Sequence, residues 1–376
     1  MTRLHLTTCA LALLAGLGTS CEPAARAWDW GLPPGIPAPR VPADNPMNEA
    51  KVELGRRLFY DVRLSANRTQ SCGSCHAQER AFTDGLAVSV GSTGDHTPRS
   101  SMSLANVAYN PVQTWANTAL VALEDQALVP LFGEHPVELG LANMEGELVA
   151  RLRAEPLYPD LFARAFPAEA DPISVPNTVR AIAAFERTLI SFDSPYDRYF
   201  YRGDRAALGD AARRGLELFN SERLECFPCH GGFNFTDGVM HGGTTIPEIQ
   251  FHNTGLYNID GRGGYPAPNR GLYEITGEPR DMGRFRAPTL RNITVTAPYM
   301  HDGSVPDLDA ALDHYAAGGR TIESGENAGI GSESPLKNIF LHGFTLTAAE
   351  RADVMALLES LRDDTFLTNP RFSDPW

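Results

Sequence analysis

Apolar positions in this chain recur at intervals of three and four residues, the period of a helix, and seldom alternate as a strand requires. Val179, Ile182, Phe185 and Leu189 mark a long helix. Leu148 and Leu152 mark a short one that Pro156 ends, because proline lacks the amide donor a helix needs. Thr347 opens the last clear helix, which runs to about Arg362, and Glu350 completes a capping box. Leu308, Ala311, Leu312 and Tyr315 share one stripe between a start signal, Ser304-Val-Pro-Asp307, and a stop, Gly318-Gly319. Ser304 is expected at the cap, with Asp307 at the third helical position near the positive end of the dipole. The pattern predicts an all-α fold with long irregular loops over Gly231–Asn253 and Asp260–Arg284.

The beginning of the chain reads differently. Met1-Thr-Arg-Leu-His5 precedes an apolar run, Leu11–Leu17, too short to span a bilayer. Residues 1–27 read as a signal peptide cleaved after Ala25-Arg-Ala27, and cleavage before Cys21 with lipidation of that thiol is the second expectation. Either places the mature chain in the periplasm. The proline-rich stretch Trp28–Pro46 is expected to be an extended arm. A length of 376 residues, 43% hydrophobic, suffices for two domains of ordinary size. The net charge of −14 argues against a nucleic-acid partner and is compatible with a basic protein.

Two pentapeptides carry the chemistry: Cys72-Gly-Ser-Cys-His76 and Cys226-Phe-Pro-Cys-His230. On a helical turn, positions i, i+3 and i+4 share a face. Two thiols there reach the vinyl groups of one porphyrin, and the histidine points at its iron. Half a zinc site or a redox dithiol would also use Cys-x-x-Cys. Both copies carry the trailing histidine, however, and the only other cysteines, Cys9 and Cys21, lie in the leader. The expectation is two covalent c-type haems held by Cys72, Cys75 and His76, and by Cys226, Cys229 and His230.

The surroundings of the motifs repeat as well. Gly55-Arg-Arg-Leu-Phe59 precedes the first and Gly215-Leu-Glu-Leu-Phe219 the second. Phe82-Thr-Asp-Gly85 follows the first and Phe235-Thr-Asp-Gly238 the second. This order predicts a duplicated unit, with one haem domain over 28–195 and another over 196–376 whose C-terminal tail packs back. The polar stretch Ser194–Arg205 reads as a turn-rich connector.

Function turns on the sixth iron ligand, since a filled position relays electrons and an open one binds peroxide. For the second haem Met282, Met300 and Tyr315 are candidates, and spacing alone does not choose among them. Spacing alone favours reading Tyr315 as a packed core tyrosine.

The run Phe285-Arg-Ala-Pro-Thr-Leu-Arg-Asn292, followed by Thr296-Ala-Pro-Tyr-Met-His-Asp-Gly303, resembles the signature of bacterial di-haem cytochrome c peroxidases and MauG enzymes. Trp28-Asp-Trp-Gly-Leu-Pro-Pro34, Phe251-His-Asn-Thr-Gly-Leu-Tyr257 and the Asp374-Pro-Trp376 end resemble the methanobactin-operon (MbnH-type) branch. Fourteen residues after the signature histidine, where peroxidases place a methionine ligand, stands Tyr315, as in MauG enzymes. Methionine raises a haem potential. An anionic phenolate favours the higher oxidation states instead. At the first haem, Val88–Gly94 lacks the loop histidine of the peroxidases. His96 and Met102 are the remaining candidates there, with Leu104-Ala-Asn-Val-Ala108 reading as plain helix, and the adopted expectation is a five-coordinate iron.

The resemblance also implies Trp115 between the haems, and Gln126 and Glu138 as the distal pair, with Glu138 moving a peroxide proton. One extra residue separates Trp115 from Gln126, and two more precede Glu138. No tryptophan sits just before the second haem site, where MauG has its surface relay. A calcium ion between the domains is implied, with Thr296 and Pro298 offering carbonyls and Ser100 standing where the family has asparagine. The implied function is a peroxide-dependent oxidase that stores two oxidising equivalents on its haems and oxidises a partner side chain. That partner is expected to be a small secreted copper-binding protein, with tryptophan converted to kynurenine. The alternatives are a cytochrome c peroxidase fed by a small cytochrome or cupredoxin, and an electron carrier with both irons six-coordinate.

Overall fold

The computed structural model describes residues 28–376, so the expected signal peptide and the Cys21 lipidation site lie outside the described residues. The regular structure is helical. In chain order come α1 (Glu49–Phe59), α2 (Cys72–Cys75), α3 (Leu123–Phe132), α4 (Glu145–Ala154), α5 (Tyr158–Ala165), α6 (Val175–Arg187) and α7 (Pro195–Tyr201). These are followed by α8 (Asp210–Phe219), α9 (Phe227–His230), α10 (Tyr273–Thr276), α11 (Leu308–Ala316), α12 (Ala348–Glu359) and α13 (Asp364–Leu367). A two-residue hairpin pairs β1 (Thr321–Ile322) with β2 (Gly329–Ile330). Long loops join these elements.

Caps set most helix starts. The side chain of Asn48 accepts from Lys51 N–H at α1, and that of Ser174 from Asn177 N–H at α6. Thr347 and Glu350 form the expected capping box at α12. The start of α11 differs from expectation. Asp307, not Ser304, is the cap, its carboxylate accepting from Ala310 N–H at 2.8 Å. Val305 is held extended by paired backbone bonds with Tyr299, and the Ser304 hydroxyl accepts from Arg320.

The repeated glycines have one physical role. A Cβ at Gly55 of α1 would sit 1.9 Å from the Ala181 carbonyl oxygen of α6. A Cβ at Gly215 of α8 would sit 2.0 Å from the Asp353 carbonyl oxygen of α12. Each glycine thus lets two helices cross in backbone contact ahead of a Cys-x-x-Cys-His turn. Leu54, Leu58 and Phe59 from α1 and Ile182 and Phe185 from α6 are buried in the larger core. Phe219, Leu357 and Leu361 build the counterpart beside the second motif. The tail returns to the first core through Phe366, Leu367 and Phe372, and Gln78 Nε2 donates to the carbonyls of Phe366 and Asn369 at 3.0 and 2.9 Å.

Two further expectations are corrected. Ser194–Arg205 is not merely turns, for its first half is α7. Ser194 and Asp197 make a capping box around Pro195 at the first helical position. Asp197 then meets Arg291 through bonds of 2.8 and 2.9 Å, with both side chains fully buried. The stretch after Met102 is an irregular segment with one 3-10 turn, Val107–Tyr109, rather than a plain helix. Asn106 breaks it by adopting φ +57° while its N–H bonds the Leu189 carbonyl. The Trp28–Pro46 arm runs as expected over the surface, bridged to His241 at Pro39 and receiving the Tyr109 hydroxyl at Pro37.

Candidate haem sites

The two histidines of the pentapeptides are oriented alike. His76 Nδ1 lies 2.7 Å from the Phe82 carbonyl oxygen, and His230 Nδ1 lies 3.4 Å from that of Phe235. A carbonyl only accepts, so Nδ1 carries the proton and Nε2 keeps a free lone pair, the form that binds a metal. Both carbonyls are aimed by left-handed backbone, φ +63° at Phe82 and +50° at Phe235. The second Phe-Thr-Asp-Gly therefore reproduces the geometry of the first. Burial lowers the pKa of both imidazoles, which keeps them neutral.

Beside the second pentapeptide lies a largely apolar cavity. Cys226, Cys229 and His230 line it together with Leu308, Ala311, Leu312 and Tyr315 of α11. The stripe read from the sequence is thus the face that α11 turns to the cavity. Burial, with the free thiols of Cys229 and Cys226, pushes the Tyr315 phenol well above its ordinary pKa. Met300 also lines the cavity, whereas Met282 packs with Tyr265 and Phe285 away from its wall. His252 lines it too, with Nε2 2.6 Å from Asp237 Oδ2. Burial opposes its charge, but Asp237 and the Cys229 thiol together outweigh burial and the pKa is pushed up to about 9.

Arg286 and His301 share this wall, and sequence reasoning assigned neither a role. Arg286 is buried with no carboxylate partner among the described residues, and burial brings its pKa down to about 10. Its guanidinium bonds only neutral groups, including Asn110 Oδ1 at 3.2 Å and Met102 Sδ at 3.6 Å. A buried cation without an anion is costly, and a haem propionate is an anion of fitting kind. His301 stacks on Phe285 at 3.6 Å with Nε2 unpartnered, and burial holds its pKa at about 4. Paired thiols, a free imidazole Nε2, a buried phenol and an unneutralised guanidinium fit a covalent haem.

Trp115 lies between the two motifs. It lines the second cavity, and its indole Nε1 donates to the Ser100 carbonyl at 2.9 Å. The adjacent Ser101 hydroxyl donates to the Cys75 carbonyl at 2.7 Å and lies 3.3 Å from His76 Nδ1. Ser100 is also tied to the segment bearing Thr296 and Pro298, through its N–H to the His301 carbonyl and its hydroxyl to the Met300 carbonyl. Among the described residues no cluster of three or more His, Cys, Asp or Glu stands ready for a metal ion.

Near the first motif, Gln126 is half-buried on α3. Glu138 is half-buried on the segment that returns along α3 through Leu139 N–H to the Pro130 carbonyl and Leu141 N–H to the Leu131 carbonyl. Burial alone lifts the Glu138 carboxyl above the usual range, and its charge acts on both Cys72 and Cys75. His96 is exposed on a turn closed by Gly91 N–H to the Asp95 carbonyl. The sulfur of Met102 is engaged by Arg286.

Comparison with known proteins agrees with this chemistry. The family described as di-haem cytochrome c peroxidase matches residues 49–206, and the RoxA-like, cytochrome c-like family matches 284–316. The methylamine utilization protein MauG of Methylorubrum extorquens is 34% identical over 361 residues, covering 95% of this chain and 90% of that protein. The cytochrome c551 peroxidase of Pseudomonas aeruginosa is 34% identical over 268 residues, covering 71% and 72%. The crystal structure of a MauG-like protein associated with microbial copper homeostasis is 54% identical, covers 93% of this chain and all of that one, and superposes with a TM-score of 0.91. The diheme peroxidase BthA of Burkholderia thailandensis shares the fold at 23% identity and a TM-score of 0.64. With two haem-attachment turns in place, the chain belongs to the di-haem cytochrome c peroxidase and MauG family of haem oxidoreductases acting on peroxide.

Proposed function

We propose that this protein is a periplasmic, MauG-like oxidase that uses hydrogen peroxide to oxidise a side chain on a partner protein. The observation that carries this reading is Tyr315 in the wall of the cavity that holds His230. When bound, the haem pair supplies the iron that cleaves peroxide and retains two oxidising equivalents. His76 Nε2 and His230 Nε2 would hold the two irons, and the Tyr315 phenolate would be the second donor at the second site. An anionic oxygen donor stabilises an oxidised metal better than a thioether does. Glu138, whose carboxyl pKa burial raises, passes a proton between the peroxide oxygens, and Gln126 orients the oxidant. Trp115 connects the two sites. Arg286 and His301 share the cavity wall, where Arg286 would balance the charge of a propionate.

The substrate assigned is tryptophan on a small secreted copper-binding protein, with kynurenine as the product. Likeness to the MauG-like protein associated with microbial copper homeostasis supports this choice. Two haem domains meeting near residue 195 and a calcium ion held by Thr296, Pro298 and Ser100 belong to the same proposal. The apolar leader read in residues 1–27 supports an exported enzyme. No helix among the described residues is long and apolar enough to cross a membrane.

One observation favours a second reading, a cytochrome c peroxidase fed by a small electron-donor protein. Met300 lines the same cavity as Tyr315 and could supply the sulfur ligand of that class. Replacing Tyr315 by Met separates the two. The oxidase reading expects the Tyr315→Met protein to keep both haems, gain a higher second potential and lose its long-lived oxidised state. A variant that keeps that state, or a wild type that turns over rapidly with reduced cytochrome c, favours the peroxidase.

A further inference from the structure

Helix α7 carries four aromatic side chains in seven residues: Tyr196, Tyr199, Phe200 and Tyr201. They continue a line of rings that begins at the second haem cavity. Phe219 and Cys226 line that cavity, and both pack in one cluster with Phe235 and Tyr196. The Phe219 and Phe235 ring centres are 6.2 Å apart, and those of Phe235 and Tyr196 4.9 Å. From Tyr196 the line reaches Phe200 at 4.5 Å and then Tyr199 at 4.9 Å. Phe200 is 42% exposed, so the line ends at the surface.

Ordinary packing does not require the hydroxyl of Tyr196. The hydroxyls of Tyr109, Tyr158 and Tyr299 each donate to a named acceptor, whereas Tyr196 has none within the protein among the described residues. A phenylalanine would fill the same space. What tyrosine adds is a ring that can be oxidised and a proton that can leave to water. Tyr299 also lines the cavity, but its hydroxyl is tied to the Ile293 carbonyl and its ring joins no aromatic pair among the described residues.

The surface at the end of this line is basic on a chain of net charge −14. Arg198, Arg202 and Arg205 are exposed around the exposed aromatic edge. Arg202 pairs with Asp193 at 3.0 Å, and Arg205 stacks over the Tyr199 ring at 4.9 Å. Arg198 and Arg205 have no salt bridge among the described residues. Such a face suits a protein that presents an oxidisable aromatic side chain among acidic residues.

Resting on the oxidase reading above, we propose that α7 is the outlet by which oxidising equivalents leave the second haem for the partner protein. Tyr196 and Tyr199 are its stations, with Phe200 as the packed ring between them. At each station one electron passes from the tyrosine ring toward the haem cavity and the phenolic proton passes to water, leaving a neutral tyrosyl radical. One electron and one proton from the partner's side chain then restore the tyrosine, and a second passage removes the second electron.

The test uses the holoprotein with one equivalent of hydrogen peroxide, without partner or reductant. The wild type should give a freeze-quenched tyrosyl radical signal in EPR and peptide-mapped oxidation at Tyr196 and Tyr199. Tyr196→Phe keeps the ring and removes the dissociable proton. It should retain both haems and the initial rate of reaction with peroxide. Its oxidised haem absorption should persist at least threefold longer, and oxidation of Tyr199 should fall at least threefold. Tyr199→Phe should keep the radical at Tyr196. If Tyr196→Phe decays and marks Tyr199 as the wild type does, the outlet is wrong and the oxidase reading stands. If the wild type forms no persistent oxidised state and turns over only with reduced cytochrome, the oxidase reading falls and the outlet falls with it.

Discussion

Glu138 and Glu186 are two carboxyls raised by the same cause, and they differ in what surrounds them. Glu138 is half-buried beside the first haem motif, and burial alone raises its pKa. It is placed to take a proton from one peroxide oxygen and return it to the other during cleavage. Glu138→Gln should slow the reaction with peroxide by roughly 10²–10⁴, measured by stopped-flow absorbance, with haem content unchanged. The acidic limb of the wild-type rate profile should lie above the ordinary carboxylate range and vanish in the variant. Glu186 is 5% exposed on α6, and Oε2 has no partner. Burial, partly offset by Arg187, pushes its pKa up to about 8. An acid whose folded pKa lies above its unfolded value stabilises the fold fully below the unfolded pKa, about 4.5, and loses that contribution as pH rises toward 8. Thermal melts between pH 5 and 8 should therefore show stability falling with pH in the wild type, and Glu186→Gln should flatten the decline. Neither role is legible from a lone glutamate in a sequence, because burial is a property of the fold.

The elements that the sequence announced are those whose signals are local. Thr347 and Glu350 cap α12 because a hydroxyl and a carboxylate three residues apart satisfy each other's end of the helix. The α11 stripe was legible from spacing, although its start was not, since Asp307 and Ser304 are both competent caps and only the Val305–Tyr299 bridge decides between them. Helix α7 was hidden by its turn-like start, its cap being a Ser-Pro-x-Asp box whose acid also serves a buried arginine far along the chain. The glycine repeat was visible, but its meaning required two helix axes in space. Gly55→Ala and Gly215→Ala should each force a helix pair apart, at a cost of about 1–3 kcal/mol. Differential scanning calorimetry should show that as a lower Tm with both haems still attached, and an unchanged Tm would contradict the close crossing.

At the scale of the whole molecule, the chain ties its two haem surroundings together at several points. Trp115, in the wall of the second cavity, is bonded to Ser100 beside the first motif, and the tail returns through Phe366 to the first core. These links join residues far apart in sequence, which is why spacing could name the two haem turns and yet leave Arg286 unnoticed. The repeated pentapeptides, glycines and Phe-Thr-Asp-Gly turns were legible because each is short and self-contained. The cavity was not, because α9, α11, α12 and the 285–301 segment build it jointly. The central claim concerns one atom in that cavity, the donor opposite His230. A crystal structure of the oxidised holoprotein, refined with both haems, tests it most directly. The account predicts the Tyr315 phenolic oxygen bonded to the second iron and an open position at the first, whereas the sulfur of Met300 or any nitrogen at the second iron, or a protein donor at both, would contradict it.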